Sequence, residues 1–305
     1  MKPLLVVNPR SGGGATGTAF GAMRGPIERA LGEVDVAMTE RQGHGSDLAR
    51  EGAMAGRSLV VAVGGDGTVH EVANGLLASK TRAELGVIGQ GTGGDFRKSL
   101  DIEHRLDSYL ERIVSGRRRS LDVGKFSGGG KDDHHFVNIL SVGLGGLVDR
   151  YVADGPSGLG GKAAYFGASL RALVNARLGH VRCTVTNGST TEEHVLRSFM
   201  IAVCNGRFFG GGMMVAPMAE VDDGVLEVVA LGATSKIGFA LTSGKIYRGK
   251  HIGQPGTVHL RGSKVTLELL NADASGVYLL DVDGEPMGSL PIVIECLPKA
   301  LTVRG

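Results

Sequence analysis

The sequence predicts two domains, an α/β domain followed by a mainly antiparallel β domain, and three observations carry that prediction. Residues 1–125 alternate short apolar runs with helix-like segments, the pattern of a parallel sheet covered by helices. Several of those runs end directly in glycine-rich polar turns, where ligands of open α/β sheets bind. From about Lys125 onward the texture changes to short runs separated by turns, which suits an antiparallel sheet domain.

Taken in order, strands are expected at 4–7, 34–38, 59–63, 85–88 and 121–123. Several are apolar throughout, as strands buried on both faces are. Helices are expected around 27–31, 46–55, 68–77 and 106–114. In the second half, strands are expected at 135–140, 181–186, 198–204, 225–231, 265–269, 277–282 and 292–296, with helices at 162–176 and 236–247. The first domain is expected to span 1–125 and to be completed by 290–305, and the second to span 126–289.

Composition narrows the function classes. The 51 glycines follow no G-X-Y period, which excludes collagen; they cluster at the ends of apolar runs, where the backbone must turn tightly or approach a ligand. A net charge of +2, aromatics at 5% and no Trp argue against a nucleic-acid binder. Cys183, Cys204 and Cys296 are scattered without CxxC spacing, which fits buried thiols better than a disulfide framework or zinc site. No stretch approaches the roughly 20 apolar residues of a membrane span. The chain reads as cytoplasmic.

The strongest local signal is LVVAVGGDGTVHEVANGL at 59–76. A buried strand ends in Gly64-Gly65-Asp66-Gly67-Thr68 and a helix follows at once, so backbone N–H groups and the helix dipole are available to an anion. Asp66 would repel phosphate unless it works through Mg²⁺ or a hydroxyl; the plainer alternative is a tight turn. NPRSGGG at 8–14 and GQGTGGDFRKSL at 89–100 are two further glycine-rich strand ends. Neither a Walker A motif nor a Rossmann GxGxxG is matched. Arg117-Arg118-Arg119 suits either a solvated loop or anionic lipid, and His134-His135 reads as one surface and one core side chain.

These segments together resemble the diacylglycerol kinase catalytic family, which also holds sphingosine and ceramide kinases and the bacterial YegS-like lipid kinases. The resemblance covers nearly the whole chain. It begins at NPRSGGG, continues through TERQGHGSDLARE (39–51), similar to a T-x-x-x-GHA-x-x-LA stretch, and peaks at GGDGTVHEVANGL (64–76). The second half adds GRFFGGGMMVAPMAEVDDGVLEVV (206–229), YRGKHI (247–252) and VDGEP (282–286). GGDGT alone also occurs in NAD kinase and phosphofructokinase relatives. The ordered GGGM, AP, DDG and DGE blocks belong to the lipid kinases.

The resemblance implies a Rossmann-like nucleotide domain, a β-sandwich-like domain as in NAD kinase, and ATP with Mg²⁺ as cofactors. It implies ATP-dependent phosphorylation of the hydroxyl of diacylglycerol or a related lipid alcohol. A sphingoid base or other acceptor, or a silent nucleotide- or lipid-binding regulator, are the alternatives. Asn8, Pro9, Arg10, Ser11, Gly12, Thr39, Gly64, Gly65, Asp66, Gly67, Thr68, Val69, His70 and Thr92 match ATP-contacting positions. As catalytic residues it implies Asp66, at the phosphates or organising Mg²⁺, Asp95, the acid retained from the family's third loop, and Glu285, which matches the proton acceptor; alone, Glu285 would read as part of an Asp-Gly hairpin turn. Glu220, Asp223 and Val225 match a structural metal site, with an Asp-Asp-Gly turn as the equal alternative. The implied partners are a lipid met at the inner membrane face and a second copy of the chain in a homodimer, with no nucleic acid. One departure stands out: the family writes GTGNDFAR or GTANDFAR where this chain has Gly93-Gly94-Asp95-Phe96-Arg97.

Overall fold

The computed structural model describes the backbone of residues 1–91, 93–115, 117–154, 161–232 and 235–304. The chain divides into two compact units, Met1–Leu121 with Lys299–Gly305, and Asp122–Pro298.

In the first unit, β1 (Leu4–Val7), β2 (Asp35–Met38), β3 (Leu59–Gly64) and β4 (Glu84–Gly89) lie parallel in the order β2-β1-β3-β4. Near its C-terminus the chain returns to add a parallel neighbour to β4, with Val303 beside Leu85. The helices are α1 (Ala15–Leu31), α2 (His44–Met54), α3 (Asp66–Ser79), the short α4 (Asp95–Ser99) and α5 (Leu106–Val114). Strands β1 and β3 are buried along their whole length because a parallel sheet with its crossover helices has no wet face. Helix α3 buries Val69, Val72, Ala73 and Leu76, the spacing of one helical face.

The helix expected at 27–31 is only the end of α1, which has 17 residues and contains Gly17, Gly21, Gly25 and Pro26. Those residues read as breakers, yet Phe20, Met23 and Ile27 are buried on one face, and burial outweighs the propensity cost. Gly17 has its own reason: a methyl group there would lie 3.0 Å from the carbonyl oxygen of Pro9.

Strand β5 (Arg118–Gly128) leads into the second unit. There follow β6 (Lys131–Phe136), β7 (Ile139–Gly143), α6 (Leu144–Ala153), α7 (Gly161–Asn175), β8 (Gly179–Asn187), β9 (Thr190–Ser198) and β10 (Met200–Cys204). A small hairpin of β11 (Phe208–Phe209) and β12 (Met213–Met214) precedes β13 (Leu226–Leu231) and α8 (Lys236–Ile246). The unit closes with β14 (Thr257–Gly262), β15 (Lys264–Leu269), β16 (Leu279–Val282), β17 (Glu285–Ser289) and β18 (Ile292–Arg304).

One sheet of this unit runs β9-β8-β15-β18, with β5 on β18 and β6 on β5; the other runs β14-β13-β10-β7-β16-β17, antiparallel throughout. Between them Phe126, Phe136, Leu140, Val181, Ile201, Val228, Val265, Leu280 and Ile294 form one core. The second sheet is buried on its far face too, where Phe199, Phe239, Ile246 and Leu173 form another cluster. That double burial makes β10 apolar at every position and β13 apolar at all but Glu227, whose carboxylate pairs with Arg261.

The run expected as one strand at 135–140 is split between β6 and β7. The cause is Asp283, whose carboxylate accepts the N–H groups of Val137, Asn138 and Ile139. Strand β9 escaped the sequence analysis because its Thr190–His194 portion is polar, as suits an exposed sheet edge. His134 and His135 are both half-buried, so neither is the core residue expected. The three cysteines are buried free thiols. No helix among the described residues is long and apolar enough to cross a membrane.

Candidate functional site

In the first unit three glycine-rich turns meet at the carboxyl ends of β1, β3 and β4. The first is wound on Asn8: its side-chain oxygen accepts the Arg10 N–H at 3.0 Å, its carbonyl accepts the Ser11 N–H and hydroxyl, and its own N–H reaches Val63. Gly12, Gly13 and Gly14 then take left-handed φ of 63, 69 and 93°, which glycine adopts without strain. A methyl group on Gly12 would stand 2.9 Å from the Gln90 carbonyl oxygen, and one on Gly91 would stand 2.7 Å from Gly65 Cα. Gln90 also donates its N–H to the Gly64 carbonyl at 2.7 Å. The backbones are packed so closely that side chains are excluded at the contacts.

Acidic oxygens gather above this backbone. Asp66, the first residue of α3, accepts the N–H of Asp95 on one carboxylate oxygen and the N–H of Phe96 on the other, both at 3.2 Å. It thereby holds the start of the third turn's helix against the second turn. A methyl group on Gly93 would lie 3.2 Å from Asp66 Oδ2 and 3.8 Å from Asp95 Oδ2, so both carboxylates border the same small space. Hard oxygen donors of this kind fit Mg²⁺. The other oxygen of Asp95 pairs with Lys98 at 2.9 Å.

The remaining expected nucleotide positions sort by burial. Arg10 is exposed, Pro9, Ser11 and Gly67 are half-buried, and Thr39 is buried at the end of β2, where its N–H reaches the Val7 carbonyl. Thr68, Val69 and His70 are each 3% exposed, so their side chains belong to the α3 packing. Gly64 is required by that packing, since a methyl group there would collide with Thr68 Oγ1 at 2.3 Å. Thr92 lies outside the described residues.

The Gly94 departure has a backbone explanation. Its φ and ψ of 58° and 41° are left-handed, a conformation that glycine and asparagine both tolerate. The conformation is kept while the amide side chain is lost, and the Arg97 guanidinium stands 3.1 Å from where a methyl group at Gly94 would be.

Two residues the sequence analysis did not single out shape this region. Glu71, one turn into the helix after GGDGT, accepts the N–H groups of Gly43 and Gly45 at 2.7 and 2.8 Å, tying the loop before α2 to α3. Tyr109 is buried beneath Gly89, where an added methyl group would lie 2.6 Å from its hydroxyl. Burial pushes this phenol up to about 12, so it stays protonated, and its hydroxyl shares a 2.9 Å hydrogen bond with His104 Nδ1. His104 in turn is held below its ordinary value by burial and by the positive charge of Arg97.

In the second unit Glu285 begins β17, half-buried and opposite Val282. The connecting pair Asp283-Gly284 has φ of 53 and 93°, the tight turn that suits a two-residue hairpin. Asp283 points inward: one oxygen takes the N–H groups of Asn138 and Ile139 at 3.0 and 2.9 Å, the other that of Val137 at 2.9 Å. Asp281 accepts the Gly284 N–H at 2.8 Å and the Ser141 hydroxyl at 3.1 Å. Glu285 therefore rides on a turn anchored by two buried carboxylates.

The Glu220–Val225 segment is a separate turn. Asp223 accepts the Val225 N–H on one oxygen and pairs with the Arg261 guanidinium through the other; Glu220 is exposed. Asp122, fully buried, braces the same turn by accepting the Gly224 N–H. Both oxygens of Asp223 are thus engaged within the protein. Among the described residues no group of three or more His, Cys, Asp or Glu side chains is placed to hold an ion.

Comparison with known proteins agrees with this organisation. Residues 2–126 match the diacylglycerol kinase catalytic domain, and residues 138–305 match the YegS C-terminal NAD kinase beta sandwich-like domain. The diacylglycerol kinase of Bacillus subtilis strain 168 is 28% identical over 291 residues, covering 94% of this chain and 90% of that protein. A protein named probable lipid kinase YegS-like from Yersinia enterocolitica serotype O:8 / biotype 1B is 27% identical, covering 88% and 86%. The fold is shared with a solved diacylglycerol kinase structure from Bacillus anthracis str. Sterne, at 24% identity and a TM-score of 0.72 over 99% of this chain and 96% of that one. On these matches, the chain belongs to the family of diacylglycerol kinases and YegS-like lipid kinases.

Proposed function

We propose that this chain transfers the γ-phosphate of ATP to the hydroxyl of diacylglycerol or a closely related lipid alcohol. The observation that carries the proposal is the meeting of three glycine-rich turns around the oxygens of Asp66 and Asp95. Backbone N–H groups at such turns suit the phosphates, and the closeness of the backbones leaves them uncovered by side chains. Asn8, Arg10, Ser11 and Gly12 would line the nucleotide with Thr39 and Gly64–Thr68. Asp66 and Asp95 would hold Mg²⁺, which when bound neutralises charge on the transferring phosphoryl group. Glu285 would take the proton of the lipid hydroxyl as its oxygen attacks phosphorus. The anchored turn beneath it keeps that carboxylate in place.

The test is phosphate transfer from radiolabelled ATP, with Mg²⁺, to a mixed-micelle panel of diacylglycerol, monoacylglycerol, sphingoid base and ceramide. Labelled phosphatidic acid, lost in Glu285→Gln and Asp66→Asn, is the expected result. Labelling of a sphingoid base instead would transfer the assignment to that acceptor. ATP binding without any labelled lipid would overturn it.

A further inference from the structure

We infer that the face formed by α7 and α8 docks onto an anionic lipid bilayer. The argument rests on that face's own residues and not on the phosphotransfer reading. Leu170 and Val174 are 56% and 64% exposed on α7, and a spacing of four puts them on one side of the helix. Ile237, 75% exposed, lies in the first turn of α8. The Lys236 ammonium donates to the Val174 carbonyl, so the end of α7 that carries Leu170 and Val174 adjoins the start of α8 that carries Ile237.

The face is firmly mounted. Leu173, Ala176, Phe239 and Ile246 from the same stretches pack into the core cluster beneath, and Phe239 meets Phe199 edge-on at 5.5 Å. Exposure here is therefore a property of the packed helices.

Charge identifies the occupant. The chain carries 31 acidic residues and a net charge of only +2, yet 155–191 and 228–267, which contain both helices, hold no Asp or Glu. Arg177 is paired with Asp273 at 3.6 Å and Arg171 stacks over Tyr151 at 4.1 Å. Lys236, Lys245, Arg248 and Lys250 remain exposed along α8 and just beyond it. Exposed apolar side chains on helices that also carry long basic side chains suit the boundary between acyl chains and anionic head groups. A second copy is a poor match, because a two-fold contact would set the same cations against themselves. The Arg117–Arg119 run is a weaker membrane candidate, since Arg118 is already paired with Glu84.

The experiment is co-sedimentation of the full chain, without nucleotide, with phosphatidylcholine vesicles and with vesicles containing phosphatidylglycerol. Wild type should partition onto the anionic vesicles and be released by salt. Val174→Asp with Ile237→Asp should lower the partition coefficient by about tenfold or more with an unchanged melting curve and an unchanged rate on a short-chain, water-soluble acceptor. Equal binding by variant and wild type would overturn the inference. So would a wild-type dimer in sedimentation velocity that the double variant dissolves while vesicle binding persists. Absence of lipid phosphorylation would overturn the proposed function and leave the vesicle result standing.

Discussion

The three turns of the first unit and the Glu285 hairpin of the second put their chemistry in place by opposite means. In the first unit the backbone is the device: Gly12 and Gly91 carry no side chain because backbones meet where one would be. In the second unit the backbone is an ordinary antiparallel hairpin, and buried carboxylates fix it. A missing side chain can be disturbed only by adding atoms. A buried carboxylate can be disturbed only by removing them. The two regions should therefore fail differently when mutated.

The largest effect is expected at the hairpin's functional end. Glu285→Gln keeps size and shape but removes the proposed proton acceptor, so kcat should fall about 10²–10⁴-fold while the melting temperature and the ATP-dependent rise in it stay as in wild type. A variant losing activity and ATP protection together would show that Glu285 supports the fold instead. Asp283→Ala should do the converse. It leaves three buried N–H groups without acceptors, at about 1–3 kcal/mol each, so denaturation in urea should show a loss of several kcal/mol. An Asp283→Ala variant as stable as wild type would break the comparison on its second side.

Gly91→Ala tests the first side. Its methyl group would meet Gly65 Cα at 2.7 Å, and backbone cannot rotate out of the way as a side chain could. Overpacking of this kind costs about 1–3 kcal/mol. The sharper readout is ATP: stabilisation by saturating nucleotide should be lost in Gly91→Ala and kept in Asp283→Ala at temperatures where both are folded. Equal ATP protection in Gly91→Ala and wild type would mean that the turns need not touch.

How much of this was legible in the sequence follows the same division. Glycine-rich turns at strand ends are local patterns, so the turns at Asn8, Gly64 and Gly89 could be read directly. Their strands could too, because residues buried on both faces are apolar without interruption. The bracing carboxylates could not be found that way. Asp283 acts on amides 144–146 positions earlier in the chain, and Glu71 acts on glycines 26 and 28 positions before it. In sequence each is one more acid in a polar stretch. Helix α1 was cut short for a related reason: its glycines and proline are local signals for a turn, while the burial of Phe20, Met23 and Ile27 that overrides them is tertiary.

The smallest effect expected is at Glu84, the first residue of β4, where the first unit, as at Glu71, uses a carboxylate as a brace. It accepts from Arg118 Nε and from Arg304 Nε, the latter on the returning C-terminal strand. Burial works to raise its pKa, but hydrogen bonds from Arg118 and Arg304 outweigh it, and the group sits below the ordinary 4.5. A depressed carboxylate contributes its full stability above the unfolded value and loses it as pH falls through the folded one. Arg118 is 58% exposed, so screening limits the contribution to about 1 kcal/mol. Wild type should therefore exceed Glu84→Gln in urea stability near neutral pH, and the difference should shrink toward zero from about pH 5 to about pH 3. Subtracting the variant cancels the other titrating carboxylates, which both proteins share. A difference that stays constant across that range would mean that Glu84 is held by shape alone, and that the returning strand depends on its ladder with β4 and on no charge.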